Sequence, residues 1–272
     1  MNYSDSDKAS VQKVVAALLA EQQLPTAASQ VTSSSSTRVA TCELEAGAVF
    51  VKVFCYRSVI DSLKQLLRGS RAARSVCAAD RLMNVGLNTP AVLDVGTKQG
   101  YSWLVTSAVP AVSLGLYLDK FLRPPLGPNK LRWKRMLLGA LGQVVGRLHG
   151  AGIVHGDLRL NNVLIDSKST SPCFYIIDNE RNTYFKRAIP ISKIIKNLVQ
   201  LSMLAPRFGT KTDRLRFLTA YFGVYQRFSR AEQRALIAQV YEVSEHRMKK
   251  LLRKPMSDNP LDERAILNVP HD

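Results

Sequence analysis

Residues 152–165 read Gly152-Ile-Val-His-Gly-Asp-Leu-Arg-Leu-Asn-Asn-Val-Leu-Ile165, and this segment sets the class of fold to expect. Three polar side chains follow at fixed spacing: His155, then Asp157, then Asn162 five residues later. A further acidic side chain, Asp178, ends the next predicted strand. Carboxylate and amide oxygens on adjacent backbone segments are ligands that Mg²⁺ prefers. The segment therefore predicts a metal-assisted site.

The same spacing matches the catalytic-loop pattern of the protein-kinase fold, His-Arg-Asp-x-x-x-x-Asn, with Gly156 here in place of arginine. Phosphoryl transfer needs a carboxylate beside the attacking hydroxyl, and Asp157 suits that role. A cation offsets charge on the transferred group, so we predict Arg159 as a second catalytic residue. Asn162 and Asp178 are predicted to hold Mg²⁺ against the phosphates of ATP.

A candidate for the nucleotide-binding lysine lies upstream, in the predicted strand Ala48-Val-Phe-Val-Lys-Val-Phe54. Lys52 is the only charged residue among these seven, which suits a side chain that holds the phosphates of ATP. The alternative is an edge-strand lysine whose ammonium group reaches solvent along its own aliphatic stem.

The order of the predicted elements indicates the fold class. Strands come first and helices later, which is typical of α+β folds and not of alternating βαβ units. We predict a helical extension over residues 1–25, a small β-rich N-terminal lobe over 26–109, and a larger helical C-terminal lobe over 110–272. The N-terminal lobe carries the nucleotide-binding strands, and the C-terminal lobe carries the catalytic loop. The expected architecture is a bilobal protein-kinase-like fold.

Hydrophobic periodicity and turn residues locate the individual elements. A helix is predicted over Lys8–Gln23 and another over Val59–Val85, and the segment after Pro110 is interpreted as a hinge. The other predicted elements are a hairpin of Ala91–Val95 and Tyr101–Ser107, a helix over Asn129–His149, strands at Val163–Ile165 and Phe174–Ile177, and helices between Ile191 and Leu252.

Composition excludes several classes of protein. The chain has 272 residues, 46% hydrophobic and 22% charged, which excludes a disordered tail or a fibrous repeat. No apolar run reaches the roughly 18 residues that span a bilayer. The four cysteines form no Cys-x-x-Cys pair, so we expect no zinc site. The N-terminus is polar and has no signal-peptide pattern, so we expect a cytoplasmic location.

Positive charge is the strongest compositional signal, because 38 Lys and Arg against 21 Asp and Glu give a net charge of +17. This excess favours an anionic partner, such as nucleic acid, a nucleotide, a phosphorylated glycan or an anionic membrane. Residues 207–254 hold twelve basic and four acidic side chains, and 120–135 hold six basic and none acidic. No stacking aromatics alternate with these charges, so nucleic acid is not expected. Solvated helix faces remain the alternative.

Taken together, the motifs resemble the bacterial lipopolysaccharide core kinases, which phosphorylate Kdo or heptose. The resemblance rests on His155-Gly-Asp-Leu-x-x-x-Asn-Val-Leu-Ile165 and Ile176-Ile-Asp-x-x-Arg181, and it runs from about residue 45 to about residue 225. Smaller similar pieces are Gly86-Leu-Asn-Thr-Pro90, Leu104-Val-Thr106, Asn197-Leu-Val-Gln-Leu201 and Asp213-Arg-Leu-Arg-Phe-Leu-Thr-Ala-Tyr221. The resemblance implies ATP and Mg²⁺ as cofactors. It also implies lipopolysaccharide core, or a related phosphorylated glycolipid, as partner at the inner face of the cytoplasmic membrane.

Three positions depart from the family pattern. The turn that should cover the phosphates is the serine run of residues 33–36, so the amides of Ser34 and Ser35 are candidate phosphate donors, with a plain surface loop as the alternative. Ser75 aligns with the helix glutamate that would pair with Lys52, and Asp61 and Asp80 are other carboxylates in the region. Glycine at position 156 removes the arginine that reads activation-loop phosphorylation, so we expect no such switch.

Three functions remain open at this point. The first is a kinase that phosphorylates a sugar hydroxyl of the lipopolysaccharide inner core. The second is a kinase-fold phosphotransferase for a protein or a small-molecule alcohol. The third is a pseudokinase, which the serine run and the missing helix glutamate favour and which the set of Asp157, Asn162, Asp178 and Lys52 disfavours.

Overall fold

The structure, a computed structural model, describes residues 3–31, 36–45, 47–56, 69–98, 100–166, 168, 170–202 and 209–252. The chain divides into two compact units. One comprises Met1–Met83 with Thr89–Val109, and the other comprises Asn84–Asn88 with Pro110–Asp272. The first unit is built on a sheet and the second is mainly helical, which confirms the predicted α+β class.

In the first unit the described strands form one antiparallel sheet. Its elements are α1 (Asp5–Ala20), β1 (Ala28–Val31), β2 (Thr37–Leu44), β3 (Gly47–Cys55), α2 (Arg71–Asn84), β4 (Val92–Lys98) and β5 (Tyr101–Ser107). The strand order is β1-β2-β3-β5-β4, so β3 lies at the centre. Lys52 on β3 is paired with Val39 of β2 on one side and with Leu104 of β5 on the other.

Helix α1 covers one face of this sheet. Its start is fixed by a capping box, in which the Ser4 hydroxyl accepts from the Asp7 N–H at 3.1 Å and the Asp7 carboxylate accepts from the Ser4 N–H at 3.0 Å. The core on this face combines side chains of α1 and β3, namely Val11, Val14, Val15, Leu18, Val49, Val51 and Val53. The N-terminal helix therefore belongs to the core of the first unit, and it spans Asp5–Ala20 where the sequence predicted Lys8–Gln23.

Helix α2 contributes to a second cluster, on the opposite face of the sheet. Successive side chains of a strand point to opposite faces, so Phe54 lies on the face away from Val53. Phe54 is fully buried and packs with Ala72 of α2. The single helix predicted over Val59–Val85 is wrong in its described part, because residues 69 and 70 are not helical and the Ser70 hydroxyl accepts from the Ala73 N–H at the start of α2. Residues 57–68 lie outside the described residues.

The second unit contains two small sheets and a set of helices. Its elements are β6 (Ala111–Ser113), α3 (Leu114–Phe121), α4 (Pro128–Gly150), β7 (Ile153–Val154), β8 (Val163–Asp166), β9 (Phe174–Ile176), β10 (Thr183–Tyr184), α5 (Ile191–Ser202), α6 (Lys211–Val224) and α7 (Arg230–Leu252). The strands pair as β6-β8-β9 and as β7-β10. The segment predicted to be the catalytic loop connects these two sheets, since it runs from β7 to β8.

Helices α4 and α6 approach each other closely, and glycine makes this approach possible. A Cβ atom on Gly142 would lie 2.2 Å from the carbonyl oxygen of Phe217, and one on Gly146 would lie 2.8 Å from Cβ of Val224. The same two helices share a buried ion pair, with Lys134 Nζ 3.0 Å from the Asp213 carboxylate. These contacts hold α4, and with it the loop that follows, against the helical body of the unit.

Most of the remaining predicted elements are confirmed with small shifts. The hairpin forms with β4 and β5, the long helix is α4, and the two short strands are β8 and β9. The segment after Pro110 is more regular than predicted, because Ser113 accepts from the Leu116 N–H and caps α3. Among the described residues, every helix is too short or too polar to cross a membrane.

Candidate active site

The loop that carries the predicted catalytic residues is fixed at its start by β7. Val154 pairs with Thr183 of β10, and the Phe185 N–H donates to the Gly152 carbonyl at 2.9 Å. Gly152 has a φ of 73°, and a Cβ there would lie 2.3 Å from the Phe185 carbonyl oxygen. This position therefore requires glycine on both conformational and steric grounds.

His155 organises the loop from inside. Its side chain is fully buried, and Nδ1 accepts from the Asp157 N–H at 3.0 Å. Nε2 lies 3.0 Å from the Ile177 carbonyl, so it carries the proton and donates. Burial lowers the pKa of His155 below its usual value, which keeps the ring neutral in this tautomer. The geometry fits a structural role that links the loop to the segment before Asp178.

The Asp157 carboxylate is bonded on both oxygens. Oδ1 accepts from the side-chain amide of Gln200 at 3.0 Å. Oδ2 accepts from Nε of Arg159 at 2.9 Å and lies 2.7 Å from its Nη2. The Asn162 amide nitrogen lies 2.8 Å from the Asp157 carbonyl oxygen and 3.4 Å from Oδ2. Asp157, Arg159 and Asn162 are thus brought together, while their roles in catalysis stay predictions.

Asn162 and Asp178 lie on backbone segments that are joined directly. The Ile177 N–H donates to the Asn162 carbonyl at 3.0 Å, and Asp178 is the next residue. Asp178 adopts a left-handed conformation, with φ of 67°, immediately before the helical turn Asn179–Arg181. The structure therefore brings the backbone positions of Asn162 and Asp178 close to each other.

The residues present fit a magnesium ion. The Asn162 amide nitrogen is directed at Asp157, and its Oδ1 accepts no hydrogen bond from the residues that the structure describes. A carbonyl-type oxygen and the Asp178 carboxylate are hard donors of the kind Mg²⁺ takes, with phosphate and water oxygens completing the coordination. Within the described part of the chain no cluster of three His, Cys, Asp or Glu side chains occurs, so a dedicated all-protein metal cage is not found there.

Two buried amides behind the loop were not identified as functional residues from the sequence. Asn197 and Gln200 lie on α5 and are 0% and 5% exposed. Asn197 accepts from the His155 N–H at 3.1 Å and donates to the His155 carbonyl at 2.7 Å. Gln200 accepts from the Leu158 N–H at 3.2 Å. The available signal was a pair of polar residues three positions apart on the apolar face of a helix.

Two basic side chains lie next to the loop, and three more are exposed close to them in the sequence. Lys196 of α5 donates from Nζ to the Gly156 carbonyl at 3.3 Å, and Lys193 is exposed one turn earlier on the same helix. A Cβ on Gly156 would lie 2.3 Å from Cβ of Arg181. The exposed residues Lys186 and Arg187 follow in the same segment. The rim formed by Arg181, Lys186, Arg187, Lys193 and Lys196 is called the basic rim below.

Lys52 belongs to the first unit, where it is partly buried on the central strand. Its Nζ lies 5.1 Å from the centroid of the Phe54 ring, and the Arg71 guanidinium lies 4.6 Å from the same centroid. Ser75, which aligned with the helix glutamate, is buried and donates to the Arg71 carbonyl at 3.0 Å. Asp80 is exposed on α2.

Some predicted positions fall outside the described residues. Ser34 and Ser35, the candidate phosphate donors, are among them, and so is Asp61. Of the serine run only Ser36 is described, and its carbonyl accepts from the Cys55 N–H at 3.1 Å. The predictions for the phosphate-covering turn remain predictions.

A sheet unit with a lysine-bearing central strand and a helical unit with this loop define a protein-kinase-like fold. Among solved structures, WaaP in complex with acyl carrier protein matches with a TM-score of 0.62 and 25% identity, over 80% of this chain and 87% of that one. The lipopolysaccharide core heptose(I) kinase WaaP of Pseudomonas aeruginosa is 30% identical over 156 residues, which are 53% of this chain and 57% of that protein. The serine/threonine-protein kinase AfsK of Streptomyces griseus is 36% identical over 80 residues, 29% of this chain and 9% of AfsK.

The family is shown by a match over most of the chain. Residues 28–221 match the lipopolysaccharide kinase (Kdo/WaaP) family. The chain therefore belongs to that family, and the resemblance inferred from the motifs is confirmed. The matched segments span from 9% to 57% of the length of the two curated relatives named above.

Proposed function

We propose that this protein is an ATP- and Mg²⁺-dependent kinase that phosphorylates a sugar hydroxyl, of Kdo or heptose, in the lipopolysaccharide inner core. The observation that carries the proposal is the Asp157 carboxylate, bonded on both oxygens in the loop of a chain that belongs to the lipopolysaccharide kinase family. One relative, WaaP of Pseudomonas aeruginosa, is named as a heptose(I) kinase, which supports a core sugar as acceptor.

Asp157 and Arg159 act on the acceptor and the transferred group. The carboxylate of Asp157 orients the sugar hydroxyl and takes its proton as the oxygen attacks phosphorus. The guanidinium of Arg159 lies against Oδ2 of that carboxylate, so it is close enough to offset the charge of the phosphoryl group.

Asn162, Asp178 and Lys52 act on the nucleotide. Asn162 Oδ1 and the Asp178 carboxylate would hold Mg²⁺, which when bound neutralises charge on the phosphates. Lys52 contacts the phosphates of ATP. The amides of Ser34 and Ser35 remain candidates for covering those phosphates.

The basic rim supports an anionic acceptor. Lys196 is held next to Asp157 by its bond to the Gly156 carbonyl, and the other four side chains of the rim are exposed. Kdo carries a carboxylate and inner-core sugars carry phosphates, so these charges attract the acceptor and orient it. The same excess of basic residues favours contact with anionic lipid at the inner face of the cytoplasmic membrane.

A labelling experiment tests the proposal. The full chain is incubated with γ-labelled ATP, Mg²⁺ and lipopolysaccharide whose core sugars lack phosphate, intact or deacylated. We expect label on the glycan with the unsubstituted protein and at least a hundredfold less with Asp157→Asn. Asp166→Asn is the matched control, since Asp166 is a carboxylate on β8 outside the loop, and it should retain activity.

Other outcomes assign other functions. Label on a generic protein acceptor, with none on the glycan, would replace the proposal by a protein kinase, in line with the partial match to AfsK. No label on any acceptor, together with thermal stabilisation by ATP and Mg²⁺, would indicate a pseudokinase. Equal labelling by the Asp157→Asn variant would remove Asp157 from the mechanism.

A further inference from the structure

We propose that Gln200 is a positioning residue that fixes the rotamer of the Asp157 carboxylate through a hydrogen bond to Oδ1. The proposal rests on the proposed kinase function and deepens it. Its central contact is the hydrogen bond of 3.0 Å from Nε2 of Gln200 to Oδ1 of Asp157.

The orientation of the Gln200 amide follows from its other partners. The Leu158 N–H donates to the amide oxygen at 3.2 Å, and the Asn197 amide nitrogen donates to the same atom at 3.1 Å. Two donors on one atom require that atom to be the oxygen. The nitrogen of the Gln200 amide therefore has to face Asp157, and its orientation cannot be reversed without opposing two donors.

Asn197 is fixed in the same way by four partners. Its oxygen accepts from the His155 N–H at 3.1 Å and lies 3.3 Å from Nε2 of His149. Its nitrogen donates to the His155 carbonyl at 2.7 Å and to the Gln200 oxygen. Every donor and acceptor of this fully buried amide is thus satisfied, which makes its orientation unique.

His149 and Tyr221 complete the chain of bonds. Because Nε2 of His149 donates to Asn197, Nδ1 is left as the acceptor, and the Tyr221 hydroxyl donates to it at 2.9 Å. Burial lowers the pKa of His149 to about 4, so the ring is neutral near pH 7 and carries one proton, as this direction requires. The bonds run in one direction from Tyr221 through His149, Asn197 and Gln200 to Asp157.

The two oxygens of Asp157 are therefore in different environments. Oδ1 meets a neutral amide that is 5% exposed and has no alternative orientation. Oδ2 accepts from the Arg159 guanidinium, whose side chain is 39% exposed, and the Asn162 amide nitrogen lies 3.4 Å from it. A bond from a rigid, buried donor fixes the rotamer of the carboxylate, and a small misplacement of a reacting group costs about a hundredfold in rate. Gln200 acts through Asp157 and does not contact the substrate.

Two substitutions of Gln200 test this role. Gln200→Met keeps the length of the side chain and removes the donor, and Gln200→Glu replaces the donor by a second carboxylate facing Oδ1. With the full chain we expect kcat to fall about a hundredfold in Gln200→Met and further in Gln200→Glu, while KM for ATP changes less than twofold. Gln143→Met, at an exposed glutamine of α4, is the control and should leave kcat unchanged.

A purely structural role would give a different result. In that case the melting temperature of both variants would fall, and kcat per folded molecule would match the unsubstituted protein. That outcome, or an unchanged kcat in Gln200→Met, would overturn the proposal. A rise in KM for ATP equal to the loss in kcat/KM would do so as well.

A readout without turnover separates this proposal from the proposed function. In protein labelled with ¹⁵N at glutamine side chains, the Gln200 amide protons should be shifted and protected from exchange with solvent. In Asp157→Ala both properties should be lost, whether or not the chain phosphorylates any acceptor. If Asp157→Ala leaves these resonances unchanged, Gln200 does not hold the carboxylate, even in an active kinase.

Discussion

The loop of residues 155–162 in the second unit and the lysine-bearing strand of the first unit hold their charged side chains in different ways. In the loop, Oδ1 of Asp157 accepts from the Gln200 amide, whose direction is fixed by donors from Leu158 and Asn197. In the sheet, Lys52 lies over the ring of Phe54, and Arg71 lies over the same ring. A hydrogen bond constrains direction, whereas a cation–π contact mainly requires proximity to an aromatic face. Removing a donor in the loop should therefore cost more stability than removing the aromatic ring in the strand.

Among the substitutions that test this difference, Asn197→Asp should cause the largest loss of stability. The substitution turns a donating nitrogen into an acceptor that faces the His155 carbonyl and the Gln200 oxygen, in a fully buried position. We expect the free energy of unfolding to fall by about 3 kcal/mol or more. Chemical denaturation measures it, with Asn161→Asp on the partly exposed helical turn as control. A loss below about 1 kcal/mol would contradict a directional network.

Acid should destabilise the second unit through the same network. Burial lowers the pKa of His149 to about 4 from its usual 6.5, so the unfolded chain binds a proton at a pH where the folded chain does not. The contribution of His149 to the free energy of unfolding is therefore fully present above about pH 6.5. It is lost as the pH falls toward 4, and the loss is about 3 kcal/mol.

The two tryptophans allow the units to be followed separately. Trp103 lies on β5 of the first unit and Trp133 on α4 of the second, so Trp103→Phe and Trp133→Phe each leave one reporter. Denaturation at pH 7.5 and pH 5.0 should shift the midpoint seen by Trp133 more than that seen by Trp103. Equal shifts would mean that the buried histidines do not set the acid limit.

A smaller effect is expected at the strand. Phe54→Leu keeps a buried apolar side chain and removes the aromatic face under Lys52 and Arg71. We expect a loss of about 1.5 kcal/mol in stability, from the reduced volume and the lost cation–π contacts. Phe54→Tyr should retain the contact and serves as the matched comparison. If Phe54→Leu destabilises as much as Asn197→Asp, the distinction between the two regions fails.

The smallest effect is expected at the basic rim. Lys196→Gln removes one exposed charge beside Gly156 and should raise the KM for the glycan acceptor about threefold at low salt, with kcat unchanged. At 0.5 M salt the difference should disappear, because exposed charges are screened. Lys13→Gln, at an exposed lysine of α1, provides the control. A change in KM that does not depend on salt would indicate that Lys196 contacts the acceptor directly and does not act through long-range electrostatic attraction.

The parts of the molecule that depend on the spacing of residues close together in the sequence were predictable. The spacing of His155, Asp157 and Asn162 lies within eight residues and identified the loop and the kinase-like fold. The start of α2 could also have been predicted, because Gly69 is a turn residue and Ser70 is a helix cap. The prediction followed the apolar periodicity of Val59–Val85 instead. Helix α3 was missed because a short segment after Pro110 carries too few periods to be recognised.

The support for the loop was not predictable. Asn197 and Gln200 lie 42 residues along the chain from His155 and Leu158, to which they bond. Patterns in a single sequence relate residues that are close along the chain. Hydrogen-bond partners 42 residues apart are identified only from the folded structure, in which α5 packs behind the loop. The polar pair on an apolar helix face could have raised the question, but the sequence could not say which backbone groups the amides satisfy.

Gly156 limits how regulation of this chain could evolve. A Cβ there would lie 2.3 Å from Cβ of Arg181 and 2.6 Å from its carbonyl oxygen. Arginine is the residue that kinases controlled by activation-loop phosphorylation carry at this place, and it does not fit while the backbone at Arg181 stays where it is. One mutation therefore cannot install such a control, since the segment after Asp178 would have to move at the same time.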